Sequence, residues 1–265
     1  MARILAISSQ VASGHVGLSA VVPALHALGH EVIALPTIVL SNHPAHPHVS
    51  GTRVAPDVLG GMVSALANNG FLNGVDAVLS GYLPTAAHAE FVRDTVSQLR
   101  FQRSDLPYIC DPVLGDEPKG LYIDSSAATA VRDALVPIAT MIVPNAFELG
   151  WLSGQSIKSP NDAALAARAL APDICIATSV PQDENCLANV AIHKSGPPEI
   201  VSVSQLRAVP KGTGDLLSGL LAAGLALRDA VALVEETIAL SLGKPELALV
   251  EATARWRRDD LRRGG

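Results

Sequence analysis

Short apolar runs alternate along the chain with longer stretches whose apolar residues fall at helical spacing. Arg3–Ser8, Glu31–Leu35, Ala77–Leu79, Tyr108–Cys110, Met141–Val143 and Ile174–Ala177 read as strands. Val16–Leu28, Asp57–Asn69, Ala86–Gln98, Ala127–Leu135, Phe147–Leu152 and Asn161–Leu170 read as the helices between them. Continuously apolar strands that alternate with helices imply βαβ units and an α/β fold, with a central parallel sheet covered on both faces. The last third differs. Ala188–Ile192 and Ile200–Val203 form a predicted strand pair about the turn Ser195-Gly196-Pro197-Pro198. Beyond Gly214 the pattern is helical, over Leu217–Leu227, Ala230–Leu242 and Leu247–Arg257. With no internal repeat, low-complexity tract or linker, the 265 residues are expected to form one domain, 1–265.

Composition refines this picture. Hydrophobic residues make up 49% of the chain and aromatic ones 3%, so Ala, Val, Leu and Ile must build the core, as suits helices packed on a sheet. The net charge is −6 and no basic stripe is visible, which argues against a nucleic-acid partner. The arginines Arg255, Arg257, Arg258, Arg262 and Arg263 are interrupted by Asp259 and Asp260 and read as a solvated helix end. No apolar run reaches the about 18 residues of a membrane span. The N-terminal apolar run is too short for a signal peptide. The 3 cysteines, Cys110, Cys175 and Cys186, show no paired spacing, and two sit in apolar strands. This points to a reducing cytoplasmic setting.

Candidate chemistry collects at the strand ends, where ligands of open parallel sheets bind: Ser9, Ser41-Asn42-His43, Ser80-Gly81-Tyr82, Asp111, Asn145 with Glu148, and Thr178-Ser179. The clearest motif is Gly212-Thr213-Gly214-Asp215 at the mouth of an apolar helix. Glycines there let successive N–H groups turn inward, and the helix N-terminus adds positive potential, which makes an anion cradle. A carboxylate in that cradle is placed to take a proton from an attacking hydroxyl, though a helix-start acid with a tight turn accounts for the same residues. Asp111 and Asp116, in Cys110-Asp111-Pro112-Val113-Leu114-Gly115-Asp116, are hard oxygen donors suited to Mg²⁺ and phosphates, or equally ordinary strand-end turn residues. Asn145 and Glu148 have the spacing of a capping box, or of groups turned toward metal-bound phosphates. The tract Ser41-Asn42-His43-Pro44-Ala45-His46-Pro47-His48 invites a zinc reading but lacks completing ligands, and a loop covering a small ligand fits it better. There is no P-loop, no protein-kinase signature, and no Gly-x-Gly-x-x-Gly after the first strand.

Taken in order, Ile7-Ser8-Ser9-Gln10-Val11 with Gly14 and Gly17, Leu40-Ser41-Asn42-His43, Val78-Leu79-Ser80-Gly81-Tyr82, the Asp111–Asp116 segment, Pro144-Asn145 with Glu148, and Gly212-Thr213-Gly214-Asp215 resemble the pyridoxal kinase family of the ribokinase-like superfamily. The resemblance runs from the first strand to the helix after Asp215. It implies a three-layer αβα sandwich, a homodimer, and ATP-dependent phosphorylation of the 5′-hydroxymethyl group of pyridoxal in vitamin B6 salvage, with Mg²⁺. Carried over, Asp215 is the base, and Gly212, Thr213 and Gly214 form the cradle for the transferring phosphoryl group. Ser9, His43, Tyr82 and Tyr122 lie on the substrate side. Asp111, Asp116 and Glu148 order metal and phosphates, and Asn145, Thr178 and Ser179 contact ATP. The chain departs from the family at Gln10, Pro44 and Val143, where relatives commonly carry His, Thr and Thr. Val143 replaces an oxygen otherwise offered to a monovalent cation such as K⁺. Alternatives are a related kinase for hydroxymethylpyrimidine or a sugar, and a catalytically weak pyridoxal-phosphate-binding protein.

Overall fold

The computed structural model describes residues 1–206 and 208–263, with side chains up to 256. The arginines at 257, 258, 262 and 263 therefore lie outside the residues whose side chains are described. Among the described residues, eleven strands occur in chain order: β1 (Arg3–Val11), β2 (Glu31–Leu40), β3 (Gly51–Arg53), β4 (Ala77–Ser80), β5 (Tyr108–Cys110), β6 (Gly115–Asp116), β7 (Gly120–Leu121), β8 (Met141–Ile142), β9 (Ile174–Pro181), β10 (Cys186–His193) and β11 (Glu199–Ser204). The helices are α1 (Leu18–Ala27), α2 (Pro56–Asn68), α3 (Ala86–Gln102), α4 (Ser125–Ala130), α5 (Ala146–Ser153), α6 (Pro160–Leu170), α7 (Thr213–Ala222), α8 (Leu227–Ser241) and α9 (Leu249–Arg263).

A 9-stranded sheet has the order β11-β10-β9-β8-β5-β4-β1-β2-β3. Its centre, from β2 to β9, is parallel, and β3, β10 and β11 run antiparallel at the edges. Alternate residues of the central strands feed two cores. Leu5, Ile7, Val78, Tyr108, Cys110, Cys175 and Ala177 face one layer, with residues of α2 to α6. Ile4, Ala6, Ala77, Leu79, Ile109 and Ile176 face the other, with α1, α7, α8 and α9. Two buried faces explain why these strands are apolar throughout instead of alternating. The result is the expected αβα sandwich.

Two irregularities shape the functional rim. β2 does not stop at Leu35 as predicted. It continues through Pro36, and its register against β1 slips so that Ser8 faces Pro36 while Ser9 faces Ile38, leaving Thr37 as the extra residue of a bulge. The bulge absorbs the missing N–H of Pro36 and lets the strand reach Leu40. On β9 the pairing with β10 also shifts, and Ser179 there adopts a φ of 53°. The predicted helix over Ala127–Leu135 starts at Ser125 and opens into a π turn over Val131–Leu135. The predicted Leu217–Leu227 helix is α7, which begins at Thr213 and ends before Gly224. The short hairpin β6–β7, outside the main sheet, was not anticipated.

Candidate active site

The carboxyl ends of the parallel strands enclose a cavity of about 490 Å³. Its floor and sides are aliphatic, from Val11, Val16, Ile38, Leu40, Val49 and Val113, and its polar groups are Ser9, His43, Tyr82, Lys119, Tyr122, Lys211 and Asp215. A mostly apolar pocket with a few convergent polar groups suits a small heteroaromatic ring. Pro44 also lines it, whereas Gln10, on the adjacent strand residue, is exposed and does not.

One end of the cavity is the N-terminus of α7. Gly212 is the N-cap residue, at φ 105°, and α7 has no side-chain cap. A Cβ on Gly212 would overlap the His15 carbonyl oxygen, so only glycine lets this turn press against the segment after β1. Gly17 meets β1 in the same way: a Cβ there would overlap Ser9. The N-termini of α1 and α7 thereby converge on Asp215. Burial pushes its carboxyl up to about 6, opposed by the Gly17 backbone N–H. Asp215 thus sits in the first turn of α7 as a helix-start acid, while Gly212 takes the N-cap position.

The carboxylates adjoin this turn. Asp111 is buried at the end of β5, and the Ser218 hydroxyl on α7 lies within hydrogen-bond reach of its Oδ2 while approaching the Gly214 carbonyl at 2.7 Å. Burial raises the Asp111 pKa well above the usual range, the neighbouring charges of Glu148 and Asp215 add to this, and Ser218 and the Val113 N–H oppose it. Glu148 is buried and also pushed up, first by burial, against backbone donors. Its Oε1 accepts from Leu114 N (2.8 Å) and Gly115 N (3.4 Å), and its Oε2 from Asn145 N at 2.9 Å. Asn145 Oδ1 accepts from Glu148 N, so the capping box is present, and Asn145 Nδ2 donates to Gly115 O. Glu148 therefore fastens the Asp111–Asp116 loop to α5 and keeps one lone pair on Oε2 to offer. Thr178 joins the same rim, its N–H donating to Pro144 O.

Asp116 lies beside the cavity, paired with the lining residue Lys211. Partial burial works against its charge, but Lys211, Tyr122 and Lys119 outweigh it and hold its carboxyl below the usual range. Lys211 Nζ lies 2.8 Å from Asp116 Oδ2, while Oδ1 is buried without a partner. Burial, and then the Asp116 carboxylate, raise the Tyr122 phenol. Burial, followed by Lys211 and Lys119, lowers His43.

The structure thus gathers Ser9, His43, Tyr82, Tyr122, Gly212 and Asp215 around one cavity, with Asp111, Asp116, Asn145, Glu148 and Thr178 beside it. Sequence reasoning missed Lys211, Lys119, Ser218 and the aliphatic wall. Lys211 was visible as the residue before Gly212, and Ser218 as the residue one turn after Gly214.

Comparison with known proteins agrees with this geometry. The family model described as phosphomethylpyrimidine kinase matches residues 12–239. The pyridoxal kinase PdxY of Leifsonia xyli subsp. xyli is 34% identical over 266 residues, covering 94% of each chain. Pyridoxal kinase of Sus scrofa is 33% identical over 239 residues, covering 83% of this chain and 74% of the relative. Pyridoxal kinase from Leishmania donovani, solved in complex with ADP and pyridoxamine, superposes with a TM-score of 0.90 at 26% identity, covering 96% and 95% of the two chains. With a ribokinase-like sandwich, a family model matched over residues 12–239, and a relative 34% identical over 94% of each chain, this chain belongs to the pyridoxal kinase family.

Proposed function

We propose that this protein is a kinase that transfers the γ-phosphoryl group of ATP to the 5′-hydroxymethyl group of pyridoxal, giving pyridoxal 5′-phosphate for vitamin B6 salvage. The observation that carries the reading is the Gly212–Asp215 turn, which puts an anion cradle and an uncapped, half-buried carboxylate in the wall of a ring-sized cavity.

Phosphoryl transfer asks for positioning, charge neutralisation and a proton acceptor. The aliphatic wall and Tyr82 hold the pyridine ring, and Ser9 offers its hydroxyl to the ring. The 5′-oxygen then faces Asp215. As that oxygen attacks phosphorus and the bond to the ADP oxygen breaks, Asp215 accepts the hydroxyl proton. The free N–H groups at the start of α7 cradle the transferring group and Lys211 adds positive charge. Asn145, Thr178 and Ser179 lie where the remaining phosphates enter. Asp116 Oδ1, a buried acceptor without a partner, and the spare lone pair of Glu148 fit a hard cation. Mg²⁺, when bound with ATP, supplies charge neutralisation at the phosphates, with Asp111, Asp116 and Glu148 as the residues to hold it. Cytoplasmic location and a homodimer complete the proposal. Among the described residues no helix is long and apolar enough to cross a membrane.

The test is ADP release with pyridoxal, pyridoxine, pyridoxamine, hydroxymethylpyrimidine and a set of sugars, with and without K⁺. Turnover with a B6 vitamer is expected. Turnover confined to hydroxymethylpyrimidine or a sugar would overturn the substrate, and pyridoxal binding without turnover would overturn the enzyme.

A further inference from the structure

Tyr82 lines the cavity, yet it sits just past the end of β4 on a turn that no regular pairing holds. Its backbone is instead gripped from both sides by buried hydroxyls. Tyr82 N donates to Ser8 Oγ at 3.1 Å, and Thr37 Oγ1 donates to Tyr82 O at 2.7 Å. Ser8 is 4% exposed and Thr37 is fully buried. The neighbouring Gly81 allows the grip, because a Cβ there would overlap Ser8 Oγ. Thr37 is also the extra residue of the β2 bulge. Bulges re-aim a side chain beside functional sites, and this one aims a hydroxyl across to the Tyr82 carbonyl.

A second hold fixes the other end of the same turn. Thr37 O accepts from Val54 N at 3.0 Å. Val54 O in turn accepts from His88 Nε2 at 2.9 Å. With its proton on Nε2, the neutral His88 ring accepts from the Thr85 hydroxyl through Nδ1 at 2.7 Å. His88 is 2% exposed. Residues 82 to 85 are thus tied to β2 and to the segment after β3 by a chain of part-buried hydrogen bonds.

We infer that Thr37 is a positioning residue of the substrate pocket, which acts through the Tyr82 carbonyl to hold the tyrosine ring as the wall against the bound pyridine. The inference rests on the proposed pyridoxal site and adds a determinant of its affinity. The phosphate-side residues are tied to Asp111 and α7 and share no hydrogen bond with this chain, so the nucleotide side should not respond.

Thr37→Val keeps the shape of the side chain and removes its donor, which leaves a buried carbonyl without a partner. The KM for pyridoxal should rise about tenfold, the equivalent of about 1.4 kcal/mol. The kcat and the KM for ATP should stay within about twofold of wild type. In a Tyr82→Ala background the same substitution should change the pyridoxal KM by less than about twofold, because coupled residues are non-additive. Thr37→Ser keeps the hydroxyl and should restore the wild-type KM, and Thr37→Ala, which also removes the donor and should raise the KM likewise, stands in if the valine variant does not fold. An unchanged KM in Thr37→Val, a full tenfold effect that persists without Tyr82, or a serine variant as impaired as the valine one would overturn the inference. Wild-type protein run alongside separates the two readings. Pyridoxal turnover in wild type with an indifferent Thr37→Val removes the positioning role alone, and neither turnover nor binding of pyridoxal in wild type removes both.

Discussion

Replacing Asp215 with asparagine removes one charge and one proton acceptor from the first turn of α7 and preserves shape. Two opposite effects follow. Loss of a general base typically lowers turnover ~10²–10⁴-fold, so kcat should fall in that range while pyridoxal and ATP bind within several-fold of wild type. Stability should move the other way. Burial raises the carboxyl from 3.8 to about 6, so between these values the folded protein keeps a proton that the unfolded chain has lost. Stability contributed by the neutral form is therefore lost as pH rises through about 4 to 6, and above that window the buried charge is a cost. At about 1.4 kcal/mol per unit the full shift is worth roughly 3 kcal/mol, which solvent access in the open cavity cuts to about 1–2 kcal/mol. Asp215→Asn should then raise Tm at pH 8 by about 2–6 °C and leave it nearly unchanged at pH 4. Wild-type turnover should fall about tenfold per unit below about 6. The assays are coupled ADP release across pH and thermal unfolding at the two pH values. Near wild-type turnover would remove Asp215 from the chemistry. A lowered Tm at pH 8 would refute the burial argument.

Other expectations can be checked alongside. Lys211→Met breaks a partly exposed ion pair and should shift Tm by less than about 2 °C, since such pairs contribute ~1 kcal/mol or less. It should lower kcat/KM for ATP by about tenfold or more through the lost charge at the phosphates, and an unaffected kcat/KM would exclude that role. The segment Ser41–Gly51 is closed on itself by Asn42 Nδ2, which donates to His43 O and His48 O, and should move as one lid on its ends. Pyridoxal should protect it from proteolysis, and equal cleavage rates with and without ligand would count against a lid. Val143 is buried and brings no side-chain oxygen, so K⁺ should activate less than in Val143→Thr. Equal activation of the two proteins would show that the position does not matter.

The parallel core was legible because burial on both faces makes Ile4–Ile7 of β1, Ala77–Leu79 of β4, β5 and Ile174–Ala177 of β9 apolar without interruption. The edges were not. β3 (Gly51-Thr52-Arg53) is exposed and owes its form to pairing with β2, which no local pattern reveals. β2 was cut short at Pro36 because a proline normally ends a central strand. The bulge that rescues it exists only in the pairing with β1. Within the site, the motif residues were readable since each cluster is contiguous in sequence. The aliphatic wall draws single residues from separate elements and leaves no local trace, and although Lys211 adjoins the Gly212 motif, its pairing with Asp116 spans 95 positions. Asn145 and Glu148 form the capping box that their spacing suggested, and the structure adds that the same carboxylate anchors the Asp111–Asp116 loop.

The contact of Gly212 with the His15 carbonyl joins the first turn after β1 to a turn made when most of the chain is complete. Domains emerge from the ribosome N-terminus first. The growing chain therefore exposes Ser9, Tyr82 and the His43 loop long before the Gly212–Asp215 turn is made. The apolar face of α1, whose Leu18, Val21 and Leu25 pack with Leu216, Leu217 and Leu220, is also uncovered until α7 arrives. Translation products ending before Gly212 lack the Gly212–Asp215 turn and leave this apolar face open. Synthesis thus makes the Gly212–Asp215 turn and closes the second core in one late step.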